Sequence, residues 1–177
     1  SKALELPGVI TVLTGKEVGE QSLPFPVGVT APFKYYSAAV DKVRYVGEPV
    51  AVVVASDRYV AEDALELIEV DYDPLPPVVK PEDALDPNAA ILHEELGDNI
   101  GCHRLLDYGE VDKAFEEADL ILKERFVFPR YSSLPLETYA VIADYDAVTG
   151  VITVRSNFMG PFSMHAVTAR ALNIDEN

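Results

Sequence analysis

Residues 43–72, VRYVGEPVAVVVASDRYVAEDALELIEVDY, constrain the fold of this chain more than any other stretch. Val43, Tyr45 and Val46 begin an extended run that Gly47-Glu48-Pro49 interrupts. Val50 to Ala55 is a short apolar run rich in β-branched residues, which predicts a strand buried on both faces. Asp57 is suited to cap a helix, because its carboxylate can accept from the free amides of a first turn. Val60, Ala64, Leu67 and Ile68 recur at helical spacing, with Glu62, Asp63 and Glu66 on the opposite face. Val70 and Tyr72 resume a strand pattern until Pro74-Leu75-Pro76-Pro77 stops it. A strand–helix–strand unit this compact can nucleate a small domain.

The flanks read less regularly. A helix-like SKALEL leads through Pro7-Gly8 to a strand at Val9 to Leu13, and Thr14 to Val18 reads as a turn or short helix. Gly19 to Ala39 predicts a long loop with Pro24, Pro26, Gly28 and Pro32, interleaved with Phe25, Phe33, Tyr35 and Tyr36. A loop this long needs a reason. Its aromatics pin it to its own domain, or it packs on a partner domain or subunit. Pro81 opens a helical turn through Leu85, and Asp86 to Asp107 reads as a connector. Beyond it, Val111, Ala114, Phe115 and Ala118 predict a short amphipathic helix over 110–118. Ile121 to Phe128 is a strand candidate. Thr138 to Tyr145 and Val151 to Arg155 are strands joined by a turn ending at Gly150. Phe162 to Leu172 reads as a helix.

With 177 residues, the chain is long enough for one ordinary domain or two small ones. Its formal charge of −16 opposes binding to nucleic acid or an anionic membrane surface. No apolar run approaches the roughly 20 residues of a membrane span. Cys102 is the one cysteine, so an intrachain disulfide is excluded, which suits a reducing, cytoplasmic location. It reads as a small, partly buried side chain. With no signal peptide and no initiator Met visible, a processed chain or a piece of a longer one is expected.

No glycine-rich phosphate loop, paired-cysteine metal site or nucleophile elbow occurs. His93 beside Glu94 and Glu95, and His103 beside Cys102, lack a second pair at ligand spacing, so each reads as a solvated histidine ahead of a metal ligand. His165, on the last helix, reads as a surface or packing residue. Glu137, in Ser132-Ser133-Leu134-Pro135-Leu136-Glu137-Thr138, stands where an apolar strand begins. It either holds backbone amides or serves a site. Ser156 to Pro161 joins a strand to a helix, a place where backbone amides can face a ligand or merely connect two elements.

Residues 43–76 resemble the α/β-hammerhead domain of molybdenum hydroxylase large subunits, the family of xanthine dehydrogenases, aldehyde oxidases and carbon monoxide dehydrogenases. LPGVITVLTGKEV at 6–18 is similar to the early part of that domain. GEVDKAFEEAD at 109–119, the Pro135-Leu136-Glu137 turn and ADYDAVTGVITVRSN at 143–157 resemble the start of the molybdopterin-binding region. The resemblance implies an α+β fold: a hammerhead domain over 1–85 with its first strands missing, a connector over 86–107, and the start of a molybdopterin-binding domain over 108–177.

It also implies that the chain is an N-terminal piece, with no catalytic residue of its own and no protein-only metal site. The pterin-embracing glycine-rich loop and the carboxylate base would lie beyond Asn177. Molybdenum–molybdopterin would be the cofactor of the complete enzyme, with iron–sulfur clusters and FAD on partner subunits or domains, and none bound to the isolated chain. Its partners would be the rest of the large subunit, the iron–sulfur and flavin subunits, and a small-molecule substrate: an aldehyde by preference, a xanthine-like heterocycle, or carbon monoxide. The family commonly carries Ser/Thr-Gln, a small residue and Pro, with the Gln donating near the molybdenum oxo ligand. Aligned on Gly160-Pro161, that Gln position is Met159, which cannot donate. Either the alignment shifts and Asn157 takes part, or the site is altered. Met159, Asn157 and Gly160 are thus the expected cofactor contacts, with Glu137 in a supporting role. The rival reading is a noncatalytic scaffold that binds other subunits.

Overall fold

The apolar run singled out above forms one strand of a small antiparallel sheet in a computed structural model, which describes residues 2–26, 28, 33–129 and 135–176. The chain divides into two units, residues 1–103 with 162–177, and residues 104–161.

In the first unit a 3₁₀ turn at Lys2–Glu5 precedes β1 (Val9–Thr14), α1 (Gly15–Gln21), β2 (Ala51–Ala55) and α2 (Arg58–Glu66). β1 and β2 pair antiparallel, with Val12 opposite Val53, and Ile10 is the extra residue of a bulge between Val9 and Thr11. Asp57 caps α2 as its sequence predicts, its carboxylate accepting from Tyr59 N at 2.9 Å and Val60 N at 3.0 Å. Ala64 is fully buried, Val60, Leu67 and Ile68 are half-buried, and Glu62, Asp63 and Glu66 face solvent, so the helical periodicity holds. α1 opens with Gly15, where the chain passes too close for any side chain: a Cβ there would lie 1.7 Å from the Ala39 carbonyl oxygen. The buried apolar residues among those described are mostly small: Ala3, Val18, Ala38, Ala64, Ala169 and Ala171.

The long aromatic segment is tied within this unit. Phe25 N donates to the Tyr35 carbonyl at 2.7 Å, Tyr35 stacks on Tyr45 with centroids 6.5 Å apart, and Phe33 lies 4.8 Å from the His93 ring. Burial, followed by the hydrogen bond with Tyr45, pushes the Tyr35 phenol up to about 12. Pro32 of this segment lies outside the described residues. A further 3₁₀ turn forms at Asp83–Leu85, two residues later than Pro81 led us to expect.

The second unit contains α3 (Val111–Glu116) and a hairpin of β3 (Val141–Tyr145) and β4 (Ile152–Ser156). Val141 faces Ser156 and Tyr145 faces Ile152. Asp146 organises the turn, accepting from Val148 N and the Thr149 hydroxyl, and Gly150 adopts φ +75°. After β4 the chain enters α4 (Pro161–Leu172), which belongs to the first unit from Phe162 onward. α4 ends at Asn173, which takes φ +54° so that Ile174 N reaches the Ala169 carbonyl at 3.0 Å.

Several strand expectations fail. Val43–Val46, Val70–Tyr72 and Ile121–Phe128 form no ladder among the described residues. Alternation specifies which face a strand hides, but a strand also needs a neighbour for its N–H and C=O groups. β2 is not buried on both faces either: Val52 and Val54 are 40% and 39% exposed. Among the described residues β1 is its one paired neighbour, and its apolar run covers only one side.

Candidate functional site

The site residues expected from sequence gather at the open end of the β3–β4 hairpin. Asn157 follows β4 directly. Its side-chain Oδ1 accepts from Ala140 N at 3.1 Å, and its Nδ2 donates to the Thr138 carbonyl at 2.9 Å. Both polar ends of this amide are therefore occupied by backbone. The Phe158 ring sits 6.3 Å from the Tyr139 ring on the opposite strand lead, and Phe158 N donates to the Ser156 hydroxyl at 3.2 Å. Met159 is 92% exposed. Gly160 turns the chain with φ +107°, a conformation that side chains resist, and Pro161 then opens α4. No described residue accepts from the main-chain N–H of Met159 or Gly160.

Glu137 stands next to Thr138, whose carbonyl Asn157 holds, so the two candidates share one end of the hairpin. Its carboxylate is exposed, and no described residue bonds it. Ser132, Ser133 and Leu134 of the same motif lie outside the described residues. Sequence alone missed what the Asn157 amide does. The only signal was its type and place: asparagine side chains commonly substitute for peptide groups where regular structure ends.

The remaining candidates are scattered. His93 is not a solvated loop histidine. Its ring packs on Phe33, and its Nδ1 has no hydrogen bond and lies 3.6 Å from Glu95 Oε1. Cys102 is exposed rather than partly buried, and His103 and His165 are exposed. Among the described residues no group of three His, Cys, Asp or Glu side chains could hold a metal ion. A cleft of about 620 Å³ in the first unit is bordered by Lys42, Arg44 and residues 70–78, but its cations are already engaged. Lys42 bonds the Ile91 carbonyl and Glu94, and Arg44 bonds the carbonyls of Leu92 and Lys42. No described helix is long and apolar enough to cross a membrane.

Residues 1–76 match the profile of the aldehyde oxidase and xanthine dehydrogenase a/b hammerhead domain, and residues 92–177 match that of the molybdopterin cofactor-binding domain. The chain belongs to the molybdenum hydroxylase large-subunit family. Its fold is mixed α and β, a hammerhead followed by a molybdopterin-binding region. The carbon monoxide dehydrogenase large chain of Afipia carboxidovorans is 34% identical over 190 residues, covering 100% of this chain and 23% of that one. The 6-hydroxypseudooxynicotine dehydrogenase complex subunit gamma of Paenarthrobacter nicotinovorans is 35% identical, covering 81% of this chain and 18% of its own length. The crystal structure of quinoline 2-oxidoreductase from Pseudomonas putida 86 superimposes with a TM-score of 0.82 at 31% identity, over 98% of this chain and 22% of that one. The chain thus spans less than a quarter of the length of these relatives. Enzymes of the family use molybdenum–molybdopterin, with iron–sulfur clusters and FAD on partner subunits, and the relatives include members of multi-subunit complexes.

Proposed function

We propose that this chain is the N-terminal part of the molybdopterin-binding large subunit of a molybdenum-dependent oxidoreductase. The carrying observation is that both family profiles match in family order along one chain, over 1–76 and 92–177. In this reading residues 1–85 are the hammerhead domain, 86–107 the connector and 108–177 the start of the cofactor-binding domain. The substrate is an aldehyde, a xanthine-like heterocycle or carbon monoxide; the names of the relatives carry carbon monoxide and nitrogen heterocycles. The partners are the rest of the large subunit and the iron–sulfur and flavin subunits. A cytoplasmic location fits the single cysteine.

The residues of the hairpin end fit such a cofactor through their backbone. Pterin and oxo groups offer hydrogen-bond acceptors, and the main-chain N–H groups of Met159 and Gly160, which no described residue takes, are donors on an exposed loop. The Met159 thioether adds an apolar, polarisable surface and no donor. Asn157 shapes the loop and Glu137 flanks it. When bound, the molybdenum–pterin group supplies the redox chemistry, while the protein binds and orients it.

The test is to isolate the native protein from its source cells through an epitope on this chain and measure molybdenum and co-purifying subunits. Molybdenum together with iron–sulfur and flavin subunits is the expected result. A metal-free protein without those partners would favour the scaffold reading. With the holoenzyme in hand, an aldehyde, a nitrogen heterocycle and carbon monoxide are compared as reductants of the enzyme.

A further inference from the structure

The register of the hairpin fixes what the Asn157 side chain displaces. Asp146 N donates to the Val151 carbonyl at 2.9 Å, so main-chain bonds fall on the 146/151 pair and on every second pair after it. With Val141 opposite Ser156, those pairs are 144/153, 142/155 and then 140/157. A ladder continued past Ser156 would bond Ala140 N to the Asn157 carbonyl, and the Met159 N–H to the Thr138 carbonyl. The Asn157 carboxamide takes both places instead, bonding Ala140 N through Oδ1 and the Thr138 carbonyl through Nδ2. The backbone of Met159 is left out of the ladder, and Gly160 at φ +107° carries it away from β3.

We propose that Asn157 is a positioning residue whose carboxamide stands in for the strand and thereby frees the Met159 main-chain N–H to donate to an acceptor group of a bound ligand. This rests on the reading that the loop faces the pterin cofactor, and it deepens that reading: the donor that the Met159 side chain cannot provide comes from its backbone. The bonds of Asn157 are exposed, so their contribution lies in geometry more than in stability.

Amide hydrogen exchange of the full chain, without cofactor, tests this. In Asn157→Ala the ladder closes over the gap, and the Met159 amide passes to the Thr138 carbonyl. Its protection should rise about tenfold, the factor expected for a net hydrogen bond of ordinary strength, while the amides of β3 and β4 hold theirs. A purely structural role predicts the opposite sign, with protection falling throughout the hairpin, and that result would overturn the proposal. So would an unchanged Met159 amide.

Asn157→Asp decides the matter if the alanine variant unfolds. Its protonated acid can donate to the Thr138 carbonyl as the amide does. Its carboxylate cannot, so the Met159 amide should go from open to protected as the acid ionises. Glu137, Tyr139 and Arg155, all exposed, are the ionisable side chains flanking it along the two strands, and the unsubstituted chain measured over the same pH range is the control. A Met159 amide equally open in both forms overturns the proposal. These outcomes are independent of molybdenum content: a metal-free native protein would remove the cofactor reading and leave the exchange result standing.

Discussion

Asp57 shows how much one residue can settle. Its carboxylate holds two amides of the first turn of α2, and Asp57→Ala should cost about 1 kcal/mol, read as a lower urea midpoint at unchanged slope. This cap was legible in the sequence because its signal is local. The role of Asn157 was not, because its partners, Thr138 and Ala140, become its neighbours only once the hairpin register is set. Carboxylates also give a pH dependence at this scale. The Thr14 hydroxyl holds Glu17 below its ordinary value, Lys42 does the same for Glu94, and the Thr149 hydroxyl for Asp146. A carboxylate whose pKa is depressed on folding stabilises the fold above its unfolded value and loses that contribution as pH falls through the folded one. The difference in urea midpoint between the parent chain and Glu17→Gln should therefore be present at pH 6 and vanish in strong acid. A difference that persists at pH 2 would show that charge at Glu17 is not its source.

At the scale of elements, the sequence announces helices better than sheets. α2 and α4 follow from periodicity and the β3–β4 turn from its residues, since each signal spans a few neighbours. Val43–Val46, Val70–Tyr72 and Ile121–Phe128 carry strand-like composition, yet no described neighbour pairs with them. Composition states a preference, whereas a ladder is a relation between distant segments. The consequence is measurable. Amides of 121–124 should exchange in the 177-residue chain at nearly unprotected rates while those of β1 and β2 are protected, as followed by NMR or mass spectrometry. Strong protection over 121–124 would mean that these residues have found a partner strand.

For the whole molecule, the two profile matches account for most of the chain, and its relatives are several times longer. The apolar surface agrees with that disparity. Phe126 is 91% exposed and Phe128 83%, and Leu105, Leu120 and Leu122 are also largely uncovered. Surface of this kind normally meets another protein surface. The isolated 177-residue chain should therefore associate at micromolar concentration despite its charge of −16, and association should strengthen as salt screens that charge. Light scattering at low and high salt checks this, and a monomer under both conditions would refute it.

The buried positions, mostly alanines, have a thermodynamic corollary. The heat capacity of unfolding comes largely from apolar surface that is dry when folded and wet when unfolded. Alanines bring little such surface, and the large side chains named above are already wet. Unfolding the chain on its own should thus raise its heat capacity less than is usual for its length. Its stability should then vary only gently with temperature, with the curvature that marks a well-filled protein largely absent.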